Sequence, residues 1–299
     1  MSNVEMFTVK AGFHTCFRIC ICESIYASIN CGSYAMQIFM GNPKGFTRQV
    51  ITEKDMTLSR ELVDRFPMHI FTHFPYIANL NGSADSLCWN GDSKIDAKMS
   101  FLLKQLEYEL SIVSKLHLSG FNSGVVIHPG CYGKREEGLA TISKTINKIK
   151  FSPNSKLILE NCAGEGRKLC KNFKEIKTIF NKLEHDKLNH VGVCVDTAHI
   201  WGEGLYDLST FRGIDLMFQD FDSILGFENF TLLHLNDSKV PLGSKKDRHE
   251  MLGRGFIWRH DIAPLKYLVE KCDNLKIPII LETHPFDILT LNKLNFYEE

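Results

Sequence analysis

The sequence predicts an α/β protein, a single-domain (β/α)8 barrel of the TIM type that spans residues 1–299. Three observations predict it. Short apolar runs recur along the chain, segments with helical spacing lie between them, and four of the seven intervals between run starts are roughly 32 to 40 residues, with longer ones after residue 70 and before residue 278. Eight such units fit a closed barrel better than a doubly wound sheet, because no glycine-rich phosphate fingerprint follows any run.

The eight runs predict the strands of the barrel. They are apolar without the alternation of a half-exposed strand, as expected for parallel strands that are buried on both faces. In chain order they are GFH (12–14), which is the weakest, AMQIFM (35–40), HIFTHF (69–74), GVVIHP (124–129), KLILEN (156–161), HVGVCVDT (190–197), FTLLHLN (230–236) and PIILET (278–283).

Helices are predicted where apolar residues recur every three or four positions. This spacing is clearest over residues 95–116, 139–149 and 262–272, each of which lies between two predicted strands. No linker, low-complexity stretch or long block of like charge interrupts this order. We therefore expect one domain.

The formal net charge is zero, with 35 basic and 35 acidic residues. This balance excludes a globally basic nucleic-acid coat protein and a polybasic protein of membrane surfaces. No stretch reaches the roughly 18 consecutive apolar residues of a membrane span. The start MSNVEMFTVK lacks the basic and apolar regions of a secretory signal. We expect an intracellular protein of cytoplasm or nucleus, of cellular or viral source, that binds no membrane.

Ten cysteines are present, and none of them forms a C-x-x-C pair. A cysteine-type structural zinc site is therefore unsupported, and most of these thiols are expected to be small buried side chains. Cys16 and Cys20 are the exception. They are spaced one helical turn apart, which predicts a redox pair that can bond under oxidising conditions.

Histidine, aspartate and glutamate side chains close the predicted strands or stand in the loops directly after them. In a parallel barrel these positions meet at one mouth. Imidazoles and carboxylates without thiolates are typical ligands of catalytic Zn²⁺ or Mn²⁺. Nine such side chains are present, more than the roughly four ligands that one tetrahedral ion binds. The sequence predicts a cluster of two or three ions at the C-terminal ends of the strands. The nine residues are His73, His128, Glu160, Asp196, His199, His234, Asp247, His249 and Glu282.

Four segments together resemble the signature blocks of the apurinic/apyrimidinic (AP) endonuclease family 2, the endonuclease IV-like enzymes of DNA repair. They are FTHFPYIANL (71–80), LENCAGEG (159–166), VDTAHIWGEGLYDL (195–208) and HLNDSKVPLGSKKDRHEMLGRGFI (234–257). The resemblance extends from residue 14 to residue 282. It implies a (β/α)8 barrel with a trinuclear zinc cluster.

The resemblance also implies a ligand set for each of three Zn²⁺ ions per chain, with Mn²⁺ as an alternative ion. The first ion is expected to take His73, His128 and Glu160. The second shares Glu160 as a bridge and adds Asp196, His234 and Glu282, and the third takes His199, Asp247 and His249. In this scheme Glu160 and Glu282 are the predicted catalytic residues.

DNA contacts are implied at the rim of the mouth. Tyr76, followed by Ile77, matches the tyrosine that the family inserts where a base is missing, and Lys44 stands where the family usually has an arginine. Lysine lacks the planar guanidinium, so an intercalating role for Lys44 is less favoured than a phosphate contact. Arg248 is a predicted phosphate contact. The loop TCFRICICESI departs from the glycine-bearing loop of the family.

The activity that the resemblance implies is zinc-dependent hydrolysis of the phosphodiester 5′ to abasic sites in duplex DNA, with trimming of blocked 3′ ends, during base excision repair. The expected partner is damaged duplex DNA, and the expected state is a monomer. Two alternatives stay open at this point. One is a metal-dependent sugar isomerase or epimerase of the same topology. The other is a non-catalytic module that binds damaged DNA and would require a broken ligand set.

Overall fold

Eight parallel strands close into a barrel in this computed structural model, which describes residues 11–15, 20–284, 287, 290 and 291. Each of the eight predicted runs overlaps one strand, so the predicted fold class is confirmed. The barrel strands are β1 (Ala11–Thr15), β2 (Ala35–Ile38), β3 (His69–His73), β4 (Ser123–Ile127), β5 (Leu157–Glu160), β6 (Val191–Asp196), β7 (Phe230–His234) and β10 (Ile279–Leu281).

The strands neighbour one another in chain order, and β10 closes the barrel by pairing with β1. All of these pairings are parallel. At Gly12 the two first strands approach so closely that an added Cβ would lie 1.7 Å from the carbonyl oxygen of Ala35. A short hairpin of β8 (Asp237–Ser238) and β9 (His249–Glu250) stands between β7 and β10, outside the barrel.

Helices connect the strands and form the outer layer. The three predicted helical segments correspond to α3, α4 and α9, and the structure adds others that the spacing did not single out. The helices are α1 (Ile21–Asn30), α2 (Glu53–Arg65), α3 (Ser93–Leu116), α4 (Arg135–Asn147), α5 (Phe173–Phe180), α6 (His185–Leu188), α7 (Thr197–Glu203), α8 (Phe211–Leu225) and α9 (Ala263–Asn274). No helix in the described part of the chain is both long and apolar enough to cross a membrane.

Polar residues begin several of these helices by satisfying free backbone N–H groups. Asp92 accepts hydrogen bonds from the amides of Lys94 and Ile95 at the start of α3. Thr52 caps α2 in the same way, and Asp196 accepts from the amide of His199 at the start of α7. Asp196 is also a predicted metal ligand, so the cap fixes the carboxylate that ends β6.

An apolar cluster fills the inside of the barrel, and we call it the barrel floor. Its members come from seven of the eight barrel strands, and each has no exposed surface. Packed side chains of this kind make the interior a core and not a channel. The barrel floor consists of Ala35, Phe71, Val126, Ile158, Cys194, Leu232 and Ile280.

The cysteines largely follow the expectation of buried thiols. Five of those described are buried, namely Cys88, Cys162, Cys170, Cys194 and Cys272. Cys16 lies outside the described residues, so its pairing with Cys20 stays a prediction. The sulfur of Cys20 lies 3.1 Å from that of Cys22.

Candidate metal centre

A polar layer lies directly above the barrel floor, and we call it the ligand layer. Residues i and i+2 of a strand point to the same side. Two residues after each member of the barrel floor, the chain carries a polar side chain. The pairs are Ala35 and Gln37, Phe71 and His73, Val126 and His128, Ile158 and Glu160, Cys194 and Asp196, Leu232 and His234, and Ile280 and Glu282.

Glu160 lies at the centre of the first group of predicted ligands. Its Oε2 atom is 3.1 Å from Nε2 of His73 and 3.5 Å from Nε2 of His128. The opposite nitrogen of His73, Nδ1, lies 2.7 Å from the carbonyl oxygen of Phe74 and donates to it, which leaves Nε2 free to face Glu160. Burial lowers the pKa of His128 to about 4 despite the nearby charge of Glu160, so this imidazole is neutral and able to bind a cation.

The second group shares Glu160 and adds Asp196, His234 and Glu282. Nδ1 of His234 lies 3.4 Å from Oε1 of Glu160 and 3.3 Å from Oε2 of Glu282. Asp196 is somewhat farther away, at 3.9 Å from the same nitrogen. The four predicted ligands of the second ion therefore surround one small volume.

The third group is assembled by α7 and the β8–β9 hairpin. Nε2 of His199 lies 3.1 Å from Oδ2 of Asp247, and Nε2 of His249 lies 3.2 Å from Oδ1 of the same carboxylate. Asp196 also reaches this group, with Oδ2 3.5 Å from Nε2 of His249. The sequence placed Asp196 in the second group alone. In the structure it stands between the second and third groups.

Protons on histidines balance the negative charge of the ligand layer. Burial raises the pKa of Glu160, but interactions with the neighbouring histidines, among them hydrogen bonds from His199 and His234, outweigh burial and hold that pKa well below its usual range. Burial lowers the pKa of His234, but interactions with Cys194 and with the carboxylates of Glu282 and Glu160 outweigh burial and raise that pKa well above its usual value. Nearby carboxylates likewise raise the pKa values of His199 and His249. A divalent cation could replace these protons as counter-charge.

The unsatisfied atoms of the site also fit a metal cluster. Within the described residues, Nε2 of His199 and Nε2 of His249 are buried and form no well-aligned hydrogen bond, and both face carboxylate oxygens of Asp247. Buried polar atoms rarely stay unpaired, and a bound ion is one common reason. The donors are nitrogen and oxygen atoms only, which suits Zn²⁺ or Mn²⁺. The side chains present therefore fit a group of divalent ions.

Gln37 and Asn236 form hydrogen bonds that orient the predicted ligands, and the sequence analysis did not predict either residue. Nε2 of Gln37 donates to Glu282 over 3.0 Å, and Oε1 accepts from His234 over 2.9 Å. Nδ2 of Asn236 donates to Asp196 over 2.7 Å and to Glu282 over 3.1 Å. Both amides are fully buried. The available signal was an amide within or at the end of an apolar run, with Gln37 two positions after Ala35 and Asn236 two positions after His234.

His14 completes the ligand layer on β1, two residues after Gly12. Its Nδ1 atom lies 3.0 Å from Nε2 of Gln37 and 4.0 Å from Oε1 of Glu282. Burial lowers the pKa of His14 to about 4, against the attraction of Glu282. A neutral His14 therefore accepts a hydrogen bond from Gln37.

The segment that carries Asp247 is fastened to neighbouring loops by ion pairs. Glu165 accepts the backbone N–H of Asp247 over 2.9 Å. Lys245 lies 2.9 Å from Glu203, a carboxylate that also lies 3.4 Å from Lys171. Asp247 consequently keeps its position toward His199 and His249 although it belongs to a loop outside the barrel.

The predicted DNA contacts lie around the same mouth. Tyr76 and Ile77 are 52% and 49% exposed, and the Tyr76 ring centroid lies 5.2 Å from that of His73. Lys44 is exposed on the loop after β2. The Arg248 side chain is 62% exposed, and its guanidinium lies 3.7 Å from Glu165. A cavity of about 310 Å³ connects Tyr76 and Arg248 with the ligand layer.

Comparisons with known proteins agree with the barrel fold. A family model described as a xylose isomerase-like TIM barrel matches residues 25–289. A probable endonuclease 4 from Clostridium botulinum is 34% identical over 260 residues, which cover 86% of each chain. The crystal structure of endonuclease IV from Thermus thermophilus superposes with a TM-score of 0.76 at 23% identity and covers 95% of this chain and 98% of its own. An L-ribulose 3-epimerase gives a TM-score of 0.56 at 13% identity over 97% and 87%.

Proposed function

Since the chain belongs to the AP endonuclease family 2 and is similar to its endonuclease IV-like members, we propose that it incises duplex DNA at abasic sites. The proposed reaction is zinc-dependent hydrolysis of the phosphodiester on the 5′ side of the lesion, as a step of base excision repair. Trimming of blocked 3′ ends by the same site is part of the proposal, since it needs only a phosphate ester at the mouth. We expect the protein to act inside the cell as a monomer.

The observation that carries the proposal is the set of nine nitrogen and oxygen donors at one mouth. We assign His73, His128 and Glu160 to a first ion and Glu160, Asp196, His234 and Glu282 to a second. His199, Asp247 and His249 would hold a third ion, with Asp196 beside them. When bound, such ions polarise phosphoryl oxygens and neutralise the charge of a phosphodiester.

Glu160 and Glu282 are the carboxylates that we place closest to the reaction. Glu160 contacts four imidazoles, so its loss would disturb two of the proposed ion sites together. Glu282 is held by Gln37 on one oxygen and by Asn236 on the other, which fixes its orientation toward the mouth. Rigid placement of this kind is what phosphate-ester hydrolysis requires of a protein.

Side chains at the rim would bind the damaged duplex. Burial and the charges of Glu282 and Glu160 raise the pKa of Tyr76, so its hydroxyl keeps its proton and can donate to a phosphate or sugar oxygen. Tyr76 and Ile77 expose an apolar surface suited to the gap that a missing base leaves in the stack. Lys44 and Arg248 would contact backbone phosphates.

A sugar isomerase or epimerase is less well supported. The likeness to the L-ribulose 3-epimerase concerns the barrel alone, at 13% identity. A proton or hydride shift has no need of a third donor set, yet Asp247 and His249 bring one to the mouth. A non-catalytic binding module is also disfavoured, because all nine predicted ligands are present.

The test uses a fluorescent duplex with one tetrahydrofuran abasic analogue, beside the same duplex without the analogue. Zinc-loaded protein should incise only the damaged strand, directly 5′ to the analogue, and EDTA should abolish incision. His185→Gln, at an exposed histidine of α6 far from the ligand layer, is the control and should keep full activity. Absence of metal-dependent incision by folded protein would overturn the proposal. EDTA-resistant DNA binding without any incision would favour the binding module.

A further inference from the structure

Arg48 and Glu109 form a buried ion pair outside the ligand layer. Nη1 of Arg48 lies 3.4 Å from Oε1 of Glu109, and their side chains are 2% and 0% exposed. Neither of these two atoms has a hydrogen-bond partner within the described residues. A buried ion pair seldom stabilises a fold more than apolar side chains of similar volume would. The other contacts of Arg48 and Glu109 indicate a role beyond stability.

On one side, Arg48 holds the loop after β2. We call residues 41–48 the lysine loop, because a turn from Asn42 to Gly45 places Lys44 near its tip. Nε of Arg48 donates to the carbonyl oxygen of Phe46 over 3.2 Å, and Nη2 donates to the carbonyl oxygen of Gly45. The guanidinium thus binds the two carbonyl groups that follow Lys44.

On the other side, Glu109 contacts the strand that leads to the first predicted ligand. Oε2 of Glu109, on α3, accepts the hydroxyl of Thr72 over 2.7 Å. Thr72 directly precedes His73 at the end of β3. The ion pair therefore connects the lysine loop with a strand of the barrel that carries the metal centre.

The lysine loop also supports the neighbouring loop of the rim, residues 75–78, which we call the tyrosine loop. The backbone N–H of Tyr76 donates to the carbonyl oxygen of Pro43 over 3.0 Å. The Arg48 guanidinium lies 5.5 Å from the ring centroid of Phe74, the residue directly before the tyrosine loop. Displacement of the lysine loop would therefore shift Tyr76 as well.

We propose that Arg48 and Glu109 are positioning residues that hold the lysine and tyrosine loops in the arrangement that accepts damaged duplex DNA. The inference rests on the proposed function of the rim. Neither residue touches the cavity of the ligand layer, so both would act through Lys44 and Tyr76. Their loss should weaken binding of the duplex while chemistry at the metal centre continues.

The experiment compares wild type with Arg48→Met, Glu109→Gln and the double variant Arg48→Met/Glu109→Leu. Arg212→Met, at an exposed arginine of α8, is the matched control. For each zinc-loaded protein, KM and kcat are measured on the tetrahydrofuran duplex, together with the zinc content and the free energy of unfolding. Hydrogen exchange is followed in peptides that cover residues 40–50 and 74–80.

Arg48→Met should raise KM at least about tenfold while kcat changes less than about threefold, and zinc content should not change. Exchange in both peptides should accelerate, because the bonds to the carbonyls of Gly45 and Phe46 are lost. Glu109→Gln should also raise KM and accelerate exchange, by less than Arg48→Met does. The double variant should regain stability by replacing the ion pair with apolar side chains, yet keep the raised KM.

Two results would overturn the positioning role. One is a double variant that regains both stability and the wild-type KM, which would make the pair a purely structural element. The other is unchanged exchange at residues 40–50 in Arg48→Met. If wild type itself fails to incise the duplex, the proposed function falls, and the exchange data still decide whether the pair holds the two loops.

Discussion

Ile158 and Glu160 lie two residues apart on the same side of β5, and both are almost completely buried. Burial of the isoleucine side chain contributes roughly 1.5–3 kcal/mol to folding. Burial of the glutamate is costly unless its charge is balanced. The same contrast recurs on six other strands, where each residue of the barrel floor precedes a residue of the ligand layer by two positions.

One barrel thereby combines a stable interior with a reactive surface. The barrel floor needs only apolar volume, so its strands supply it by themselves. The ligand layer instead depends on what occupies it. Without ions its carboxylates are balanced by protons on His199, His234 and His249, whose pKa values are raised for that reason. Changes in the two layers should therefore affect different properties of the protein.

The largest effect is expected in the ligand layer. Glu160→Gln keeps the shape of the side chain but removes a charge shared by two of the proposed ion sites. We expect turnover on the abasic duplex to fall by about a thousandfold or more, together with loss of bound zinc. Single-turnover incision and elemental analysis measure the two quantities. Activity within about tenfold of wild type would contradict the bridging role of Glu160.

A substitution in the barrel floor should lower stability and leave metal binding and turnover unchanged. Ile158→Ala leaves a cavity in a layer with no exposed surface, and we expect the free energy of unfolding to fall by about 3 kcal/mol. Zinc content and kcat should stay close to wild type. Urea unfolding of the zinc-loaded protein, with elemental analysis on the same sample, checks this. Loss of zinc in a folded Ile158→Ala protein would mean that the two layers are not separable.

Acid should weaken ion binding, because the imidazoles must lose their protons first. The ion-free protein raises the pKa values of His199, His234 and His249, so these groups hold protons at low pH and release them as pH rises. Zinc affinity should consequently increase from pH 6 to pH 8, by about a hundredfold for each proton that an ion displaces. Competition with a chelator of known protonation behaviour measures the zinc affinity at each pH. A pH-independent affinity would contradict the assignment of these histidines as ligands.

A smaller effect on zinc binding is expected for a residue that hydrogen-bonds the predicted ligands but is not itself a ligand. Gln37→Leu keeps the volume at β2 but removes the hydrogen bonds that orient Glu282 and His234. Zinc affinity should fall by about tenfold, because supporting partners of this kind tune a site without forming it. Asn229→Leu, at an amide near the start of β7 and away from the mouth, is a control for loss of an amide. An unchanged affinity in Gln37→Leu would show that the ligands are held by packing alone.

The sequence was sufficient to predict the barrel and to place six candidate ligands at or directly after the ends of its strands, since the apolar runs mark both the strands and their ends. Asp247 and His249 were harder to place. Their position depends on the β8–β9 hairpin and on the bond from Glu165, and neither follows from a local pattern. The loop after the seventh predicted run predicted both residues as candidate ligands, but their assignment to a third ion came from the family resemblance.

Other features depend on contacts that no local pattern contains. Gln37 and Asn236 were missed because an amide in an apolar run does not by itself indicate what it will contact. Arg48 and Glu109 belong to different elements, and only the closed barrel brings them together. The role of Asp196 between two groups likewise depends on the placement of His249.

Elemental analysis of purified protein decides whether the nine donors at the mouth hold a cluster of ions. The protein is freed of loosely bound metal by gel filtration, and zinc and manganese are counted per chain. We predict about three divalent ions, mainly zinc, and about one or fewer in Glu160→Gln. One ion or none in folded, wild-type protein after incubation with zinc would contradict the account.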